Sequence, residues 1–365
     1  MIFKYLFYLR LGILVGDYIY FDLTGYYIGV VGFFILSSYL LTYRMLNQLN
    51  ASAKCLTEIQ LIISKYYIRR IFRIYFPFVI MVSLVKFVSP KFGGTYVFDT
   101  SWFSIVTLQS AGTTTHLWTI APEIKYYFFI PLFSYATHLM SRVWYVWDIL
   151  LLISIYSIEN YKLFSYFNGM VNFNLDRGYL FLTRFTVFYL GSLIAVFYFR
   201  LKSSYLFKYT ENNLIKHILG IVSMVFYLGG MIIWSPFYNK QLNFDGHTFK
   251  AALYWSFVLV LMLLGAPNFF TDIFNCRYLK YGGKFSFGIY LFHPAALLYI
   301  RAYIKDKNYY KGNYELLIYA IIASYFLGFL FYYLMENPLM KLGHYVCNRI
   351  SSLNYFKPLS QIQNF

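Results

Sequence analysis

Most of this 365-residue chain is a succession of apolar runs near the length that crosses a bilayer, and little of the rest is long enough to fold separately. A spanning helix needs about 20 mostly apolar residues. Runs of that kind fall at 5–21, 25–43, 71–88, 117–138, 143–156, 179–200, 217–235, 249–266, 284–301 and 316–335. The first and fifth are short. Residues 101–112 are apolar but too short to span, and read as an interfacial or re-entrant piece. Lipid leaves backbone polar groups no partner except the backbone itself, which favours helices. The expected fold is therefore an all-α, polytopic transmembrane bundle of about ten helices.

Charge supports the same solvent. Only 12% of residues are charged, against roughly 25% in a soluble domain. The net charge of +17 is not a nucleic-acid signal, because Lys and Arg lie between apolar runs rather than along a polar domain. They orient helices and attract anionic headgroups, so membrane lipids are expected partners and nucleic acid is not. Arg44, Lys54, Lys65, Arg69, Arg70 and Arg73 between the second and third runs mark a cytoplasmic loop. Alternation then places both termini in the cytoplasm. The loop with Arg301, Lys305, Lys307 and Lys311 falls outside and fits the rule poorly. One membrane domain is expected over residues 1–340, followed by a short cytoplasmic, amphipathic tail at 341–365. Cys55, Cys276 and Cys347 suggest no disulfide framework. No metal-ligand spacing appears among the His residues, so no metal is expected.

Ionisable groups within apolar helices are costly and usually face a protein interior. Five groups qualify. His116 precedes a helix whose first turn carries Pro122 and Glu123. The pair reads either as a general base held by a carboxylate or as a capping carboxylate with an interfacial His. Arg69, Arg70 and Arg73 read as a positive-inside anchor or as a phosphate clamp. His293, followed by Pro294, reads as a functional imidazole or as a structural hydrogen bond between helices. Arg184 needs a counter-charge or a cavity. Glu336-Asn337-Pro338 reads as a polar helix end with a proline stop.

In order along the chain, these segments resemble the type-3 acyltransferase family of membrane proteins. Gly29 to Tyr39 is similar to its GVDxFFxxSGF segment, and Arg69 to Pro77 to its RRxxRIxP segment. His116 to Tyr127 is similar to HLWSLxxExxFY, and Arg184 to Ala195 to the R…xxGxxxA helix. Gly283 to Pro294 resembles GxxSYxxYLxHxP, and Glu336 to Pro338 matches ExP. The resemblance implies transfer of an acyl group, acetyl foremost, from cytoplasmic acyl-CoA (acetyl-CoA) to a hydroxyl of a carbohydrate, glycolipid or lipid acceptor. Carried over, Arg69, Arg70 and Arg73 bind the CoA phosphates, while His116, Glu123 and His293 line the reaction site. Arg184 and Glu336 are the remaining polar motif residues. The topology puts the Arg group inside and His116 toward the far face.

Two departures bear on this expectation. Members usually carry a His in the first helix, after an Arg, whereas Arg10 is followed by Tyr20, Phe21 and Asp22 without one. The stretch from Arg10 to Gly29 is also short, so the first helix is expected to be truncated or atypical. Val31 stands where Asp is usual, and Ser38 where Gly is usual. Ser38 is still small enough for close helix packing. The rival expectation is a catalytically degenerate member or a small-molecule transporter.

Overall fold

A computed structural model describes residues 28–52, 55–88, 101–108, 116–160, 179–233, 249–266, 281, 283–293, 296 and 314–352. The span expected at 5–21, with Arg10, lies outside them, as do Cys276, the loop carrying Arg301 to Lys311, and residues 353–365. Among the described residues every regular element is helical. Four segments there are long and apolar enough to cross a bilayer: Ile120–Ile158, Phe185–Ser203, Asn213–Gly230 and Ile318–Ser352. That measure does not reach the expected ten; the run at 5–21 is outside the described residues, and Phe249–Leu264 has only 16 residues.

The centre is a helix pair, α1 (Ile28–Ser52) and α7 (Tyr179–Ser203). Their axes approach closely because Gly191 lies against α1. A Cβ there would sit 2.1 Å from both the Ile35 carbonyl oxygen and Ser38 Oγ. Small residues allow this contact in lipid, where dispersion and hydrogen bonds replace the hydrophobic effect between helices. Phe34 stacks on Phe188 with centroids 4.3 Å apart. Two buried hydrogen bonds cross the interior, Thr42 to Ser192 at 2.9 Å and Tyr126 to Ser192 at 2.8 Å. The second ties in α5 (Ile120–Leu139).

The Ile120–Ile158 segment is not one rod. It contains α5, a 3-10 turn at Met140–Val143, and α6 (Trp144–Asn160). Phe133 of α5 packs on Tyr189, and Ser154 of α6 hydrogen-bonds the same tyrosine. A straight helix would separate those two residues by about 30 Å, so the chain folds back at the turn. Trp147 Nε1 donates to Thr137 Oγ1 across the bend at 3.1 Å. Leu150, Leu152 and Ile153 of α6 are exposed, as are Ile318, Ile322 and Phe326 on one face of a later helix. Apolar surface of this extent suits lipid contact.

Proline shapes the segments that carry the motif residues. Before each of two prolines the helix widens into a π turn, Ile71–Tyr75 ahead of Pro77 and Tyr332–Glu336 ahead of Pro338. A proline ring crowds the carbonyl four residues earlier and removes a donor. In both places that carbonyl belongs to the π turn, at Arg73 and Leu334. The first turn joins α2 (Leu56–Arg70) to α3 (Phe76–Val88). The second joins α12 (Tyr314–Phe331) to α13 (Asn337–Ser352). Pro338 is thus no stop. It occupies the first turn of a further helix, where proline is tolerated, and the tail boundary expected at 341 falls inside α13.

The short helix α4 (Trp102–Val106) is the apolar piece expected near 101–112. Trp102 Nε1 donates to Ser83 Oγ at 3.1 Å, and Tyr75 donates to the Val106 carbonyl at 3.2 Å. The segment therefore runs back along α3, from its C-terminal end toward its N-terminal end, as a re-entrant piece does.

Candidate active site

Glu123 sits in the first turn of α5, after a 3-10 turn at His116–Thr119. Pro122 fits the turn because its missing N–H would be unpaired there anyway. Glu123 is 3% exposed. Ser37 of α1 donates to its Oε1 at 2.8 Å, and the Tyr127 hydroxyl donates to the same oxygen. Tyr127 is one turn further along α5, on the same face. Hydrogen bonds to a carboxylate are stronger than neutral ones and fix its orientation. The backbone of His116 opens the 3-10 turn; its side chain lies outside the described set, as does that of Arg184.

Tyr127 also joins this carboxylate to the arginines. The Arg70 guanidinium lies 5.8 Å from the Tyr127 ring centroid, within cation–π range. Arg44, from α1, feels both Arg69 and Arg70: burial foremost, and then those two like charges, hold its guanidinium below the usual arginine range. Three cations from two helices thus face one region. Arg69 Nε and Arg70 Nε are buried and have no hydrogen-bond partner among the described residues. Arg73 belongs to the first π turn. The Tyr332 phenol, in the second π turn, lies within electrostatic reach of both Arg73 and Glu336.

This arrangement changes the expected depth of the site. With the arginines inside and the His116 segment outside, Glu123 and Arg70 would stand most of a hydrocarbon thickness apart, about 30 Å. They are instead separated by one tyrosine ring. Helix α4 bears on the difference, since Val106 at its end lies at the level of Tyr75.

The helical stretch α11 (residues 283–293) brings His293 to the same neighbourhood. The Tyr290 and Thr119 hydroxyls are 2.5 Å apart, and Thr119 lies one turn before Glu123. His293 Nδ1 is 2.8 Å from the Tyr290 carbonyl oxygen. A carbonyl only accepts, so Nδ1 carries the proton of that contact, and in the neutral imidazole Nε2 then has the lone pair. One turn earlier, a Cβ on Gly288 would lie 3.2 Å from Glu336 Oε1. Tyr127 thus joins Arg70 to Glu123, and Tyr290 joins Thr119, one turn before Glu123, to the His293 segment, with Glu336 beside Gly288.

Sequence reasoning missed Ser37, Arg44, Tyr127 and Tyr290. Arg44 carried a usable signal, lying in the same basic segment as Arg69 and Arg70. Ser37, Tyr127 and Tyr290 each stand at a position of a motif segment, but a hydroxyl among apolar runs does not announce its partner. Among the described residues no group of His, Cys, Asp and Glu is placed to hold a metal ion.

A membrane protein, helical throughout its described residues, with a buried carboxylate joined by one tyrosine to a group of arginines and a half-buried imidazole on a neighbouring helix, is the class this geometry defines. The chain belongs to the type-3 acyltransferase family, whose model, described as an acyltransferase domain, matches residues 3–336. A Staphylococcus aureus (strain MRSA252) protein named "Putative O-acetyltransferase" is 23% identical over 359 residues, covering 90% of this chain and 55% of the relative. A similarly named protein of Staphylococcus aureus (strain COL) is 22% identical over 350 residues, covering 88% of this chain and 54% of the relative. The chain thus spans about half the length of these relatives. No solved structure matches it.

Proposed function

We propose that this protein is an integral membrane O-acyltransferase that moves an acetyl or other acyl group from acyl-CoA to a hydroxyl of a carbohydrate, glycolipid or lipid acceptor. The observation that carries the reading is the link from Arg70 through Tyr127 to Glu123 within a chain of this family. Arg69, Arg70 and Arg73 hold the donor's phosphates, for which guanidinium is well suited. The thioester then extends between the helices toward Glu123 and His293. A His, either His116 or His293, takes the proton of the acceptor hydroxyl. The oxygen attacks the thioester carbonyl, the C–S bond breaks, and CoA leaves as the thiol after receiving a proton. For His293 the lone pair on Nε2 suits this task. Glu123, fixed by Ser37 and Tyr127, orients the imidazole or balances its charge. Arg184 and Glu336 are the remaining polar residues of the family's motifs. The bundle is read as about ten spans with cytoplasmic termini.

The test is transfer of labelled acetyl groups by membranes containing the full chain. Glu123→Ala and His116→Ala should each lower turnover by about 10²–10⁴, the usual contribution of a positioned base, with expression intact. Unchanged transfer in both variants removes these assignments. A wild-type protein that binds CoA and never consumes acetyl-CoA identifies a degenerate member instead.

A further inference from the structure

The face of α2 that carries Arg70 holds a second unused donor, one turn earlier. Tyr66 is 9% exposed, and its buried hydroxyl has no hydrogen-bond partner among the described residues. The tyrosines around it differ. Tyr67 donates to the Phe128 carbonyl, Tyr75 to the Val106 carbonyl and Tyr127 to Glu123, while Tyr126 pairs with Ser192. An unsatisfied buried hydroxyl costs free energy that a phenylalanine would avoid. Here three such donors, Tyr66 Oη, Arg69 Nε and Arg70 Nε, lie within five residues of one helix. The two guanidinium groups are cationic and can only donate, and an acceptor that meets them can also take the Tyr66 hydroxyl's proton.

We infer that the Tyr66 hydroxyl donates to a phosphate oxygen of the ligand that Arg69 and Arg70 bind, which makes it a further binding residue of that site. The position fits: Tyr66 and Arg70 are four residues apart and share a helix face. The phenol also stays protonated. Burial pushes it well above its usual range, with Arg70 opposing, and Tyr67 and Glu123 adding to the rise. Arg44 faces Arg69 and Arg70 from α1, so the phosphate would be held by groups from two helices. The inference rests on the donor-binding reading above only in the choice of CoA as ligand. A lipid headgroup offers the same phosphate chemistry.

Tyr66→Phe isolates the hydroxyl because the ring is retained. The full-length protein and the variant, both in dodecyl maltoside, which contains no phosphate, are titrated by calorimetry with CoA, pyrophosphate and short-chain phosphatidylglycerol. Their thermal midpoints without ligand are compared. A hydrogen bond to a charged group is worth enough to weaken binding about tenfold when lost. The expected result is that loss for CoA, with a midpoint unchanged or raised. If the loss occurs for pyrophosphate or the lipid while CoA does not bind, the inference stands and the donor reading falls. Equal affinity of the two proteins for every probe that binds overturns the inference and leaves the donor reading intact. A variant with a lowered midpoint overturns it too, since the hydroxyl is then structural. Failure of the wild type to bind any probe overturns both.

Discussion

At the scale of single residues, the site depends on what Tyr127 does with its two ends. Its ring lies beside the Arg70 guanidinium and its hydroxyl holds Glu123. Tyr127→Phe keeps the first contact and removes the second. The carboxylate would retain Ser37 but lose part of its orientation. A charge-assisted hydrogen bond contributes roughly 1.5–3 kcal/mol, so acetyl transfer should fall about tenfold or more, in kcat rather than in KM for the donor. Steady-state kinetics with acetyl-CoA as the varied substrate separate the two, and a change confined to KM would place Tyr127 in donor binding instead. Glu123 itself was legible because ionisable residues are scarce in this chain and Pro122 marks a helix start. Tyr127 was legible only as the last position of the His116 to Tyr127 motif segment, since nothing in one of 41 tyrosines tells that its hydroxyl holds a carboxylate.

At the scale of elements, the sequence shows where helices run better than how closely they approach or how they turn. Ser38 was expected to allow close packing, and the structure places it against Gly191. The π turns were not legible. Pro77 and Pro338 mark places where an α-helical ladder is disturbed, but a stop, a kink and a widened turn all satisfy that requirement. Neighbouring helices decide among them. Re-entry of α4 was one of two expected readings, and the hydrogen bonds of Trp102 and Tyr75 favour it. The α1–α7 contact gives an element-scale test. Gly191→Ala places a Cβ 2.1 Å from a backbone oxygen of α1, which no rotamer change relieves. The helices must separate, disturbing the Thr42–Ser192–Tyr126 bonds. Overpacking of this kind costs about 1–3 kcal/mol, and a thermal melt in detergent should show a lowered midpoint. Ala195, also small and on α7, is already accommodated, so the effect is specific to the crossing point.

At the scale of the whole molecule, the C-terminal helix returns to the arginines. Gly343 of α13 faces Phe72, in the π turn between Arg70 and Arg73, and Cys347 Sγ lies 3.8 Å from the Lys65 carbonyl oxygen. Gly343 and Cys347 are buried, whereas Leu342 and Tyr345 are exposed. The amphipathic character expected of the tail therefore has a protein partner, which a sequence pattern alone could not name. The consequence is that α13 fixes the helix whose guanidinium groups face the proposed donor. A side chain at 343 tests this. Its Cβ would lie 2.9 Å from Phe72 Cβ, an atom close to the backbone that cannot swing away. Gly343→Leu should push the π turn and move Arg73 relative to Arg69 and Arg70. CoA affinity should fall roughly tenfold, as a shift that removes one charged hydrogen bond would produce. Leu342→Ala, on the exposed face, is the control and should leave affinity unchanged. If both variants bind CoA like the wild type, α13 is a passive cover and the arginines are held by α1 and α5 alone.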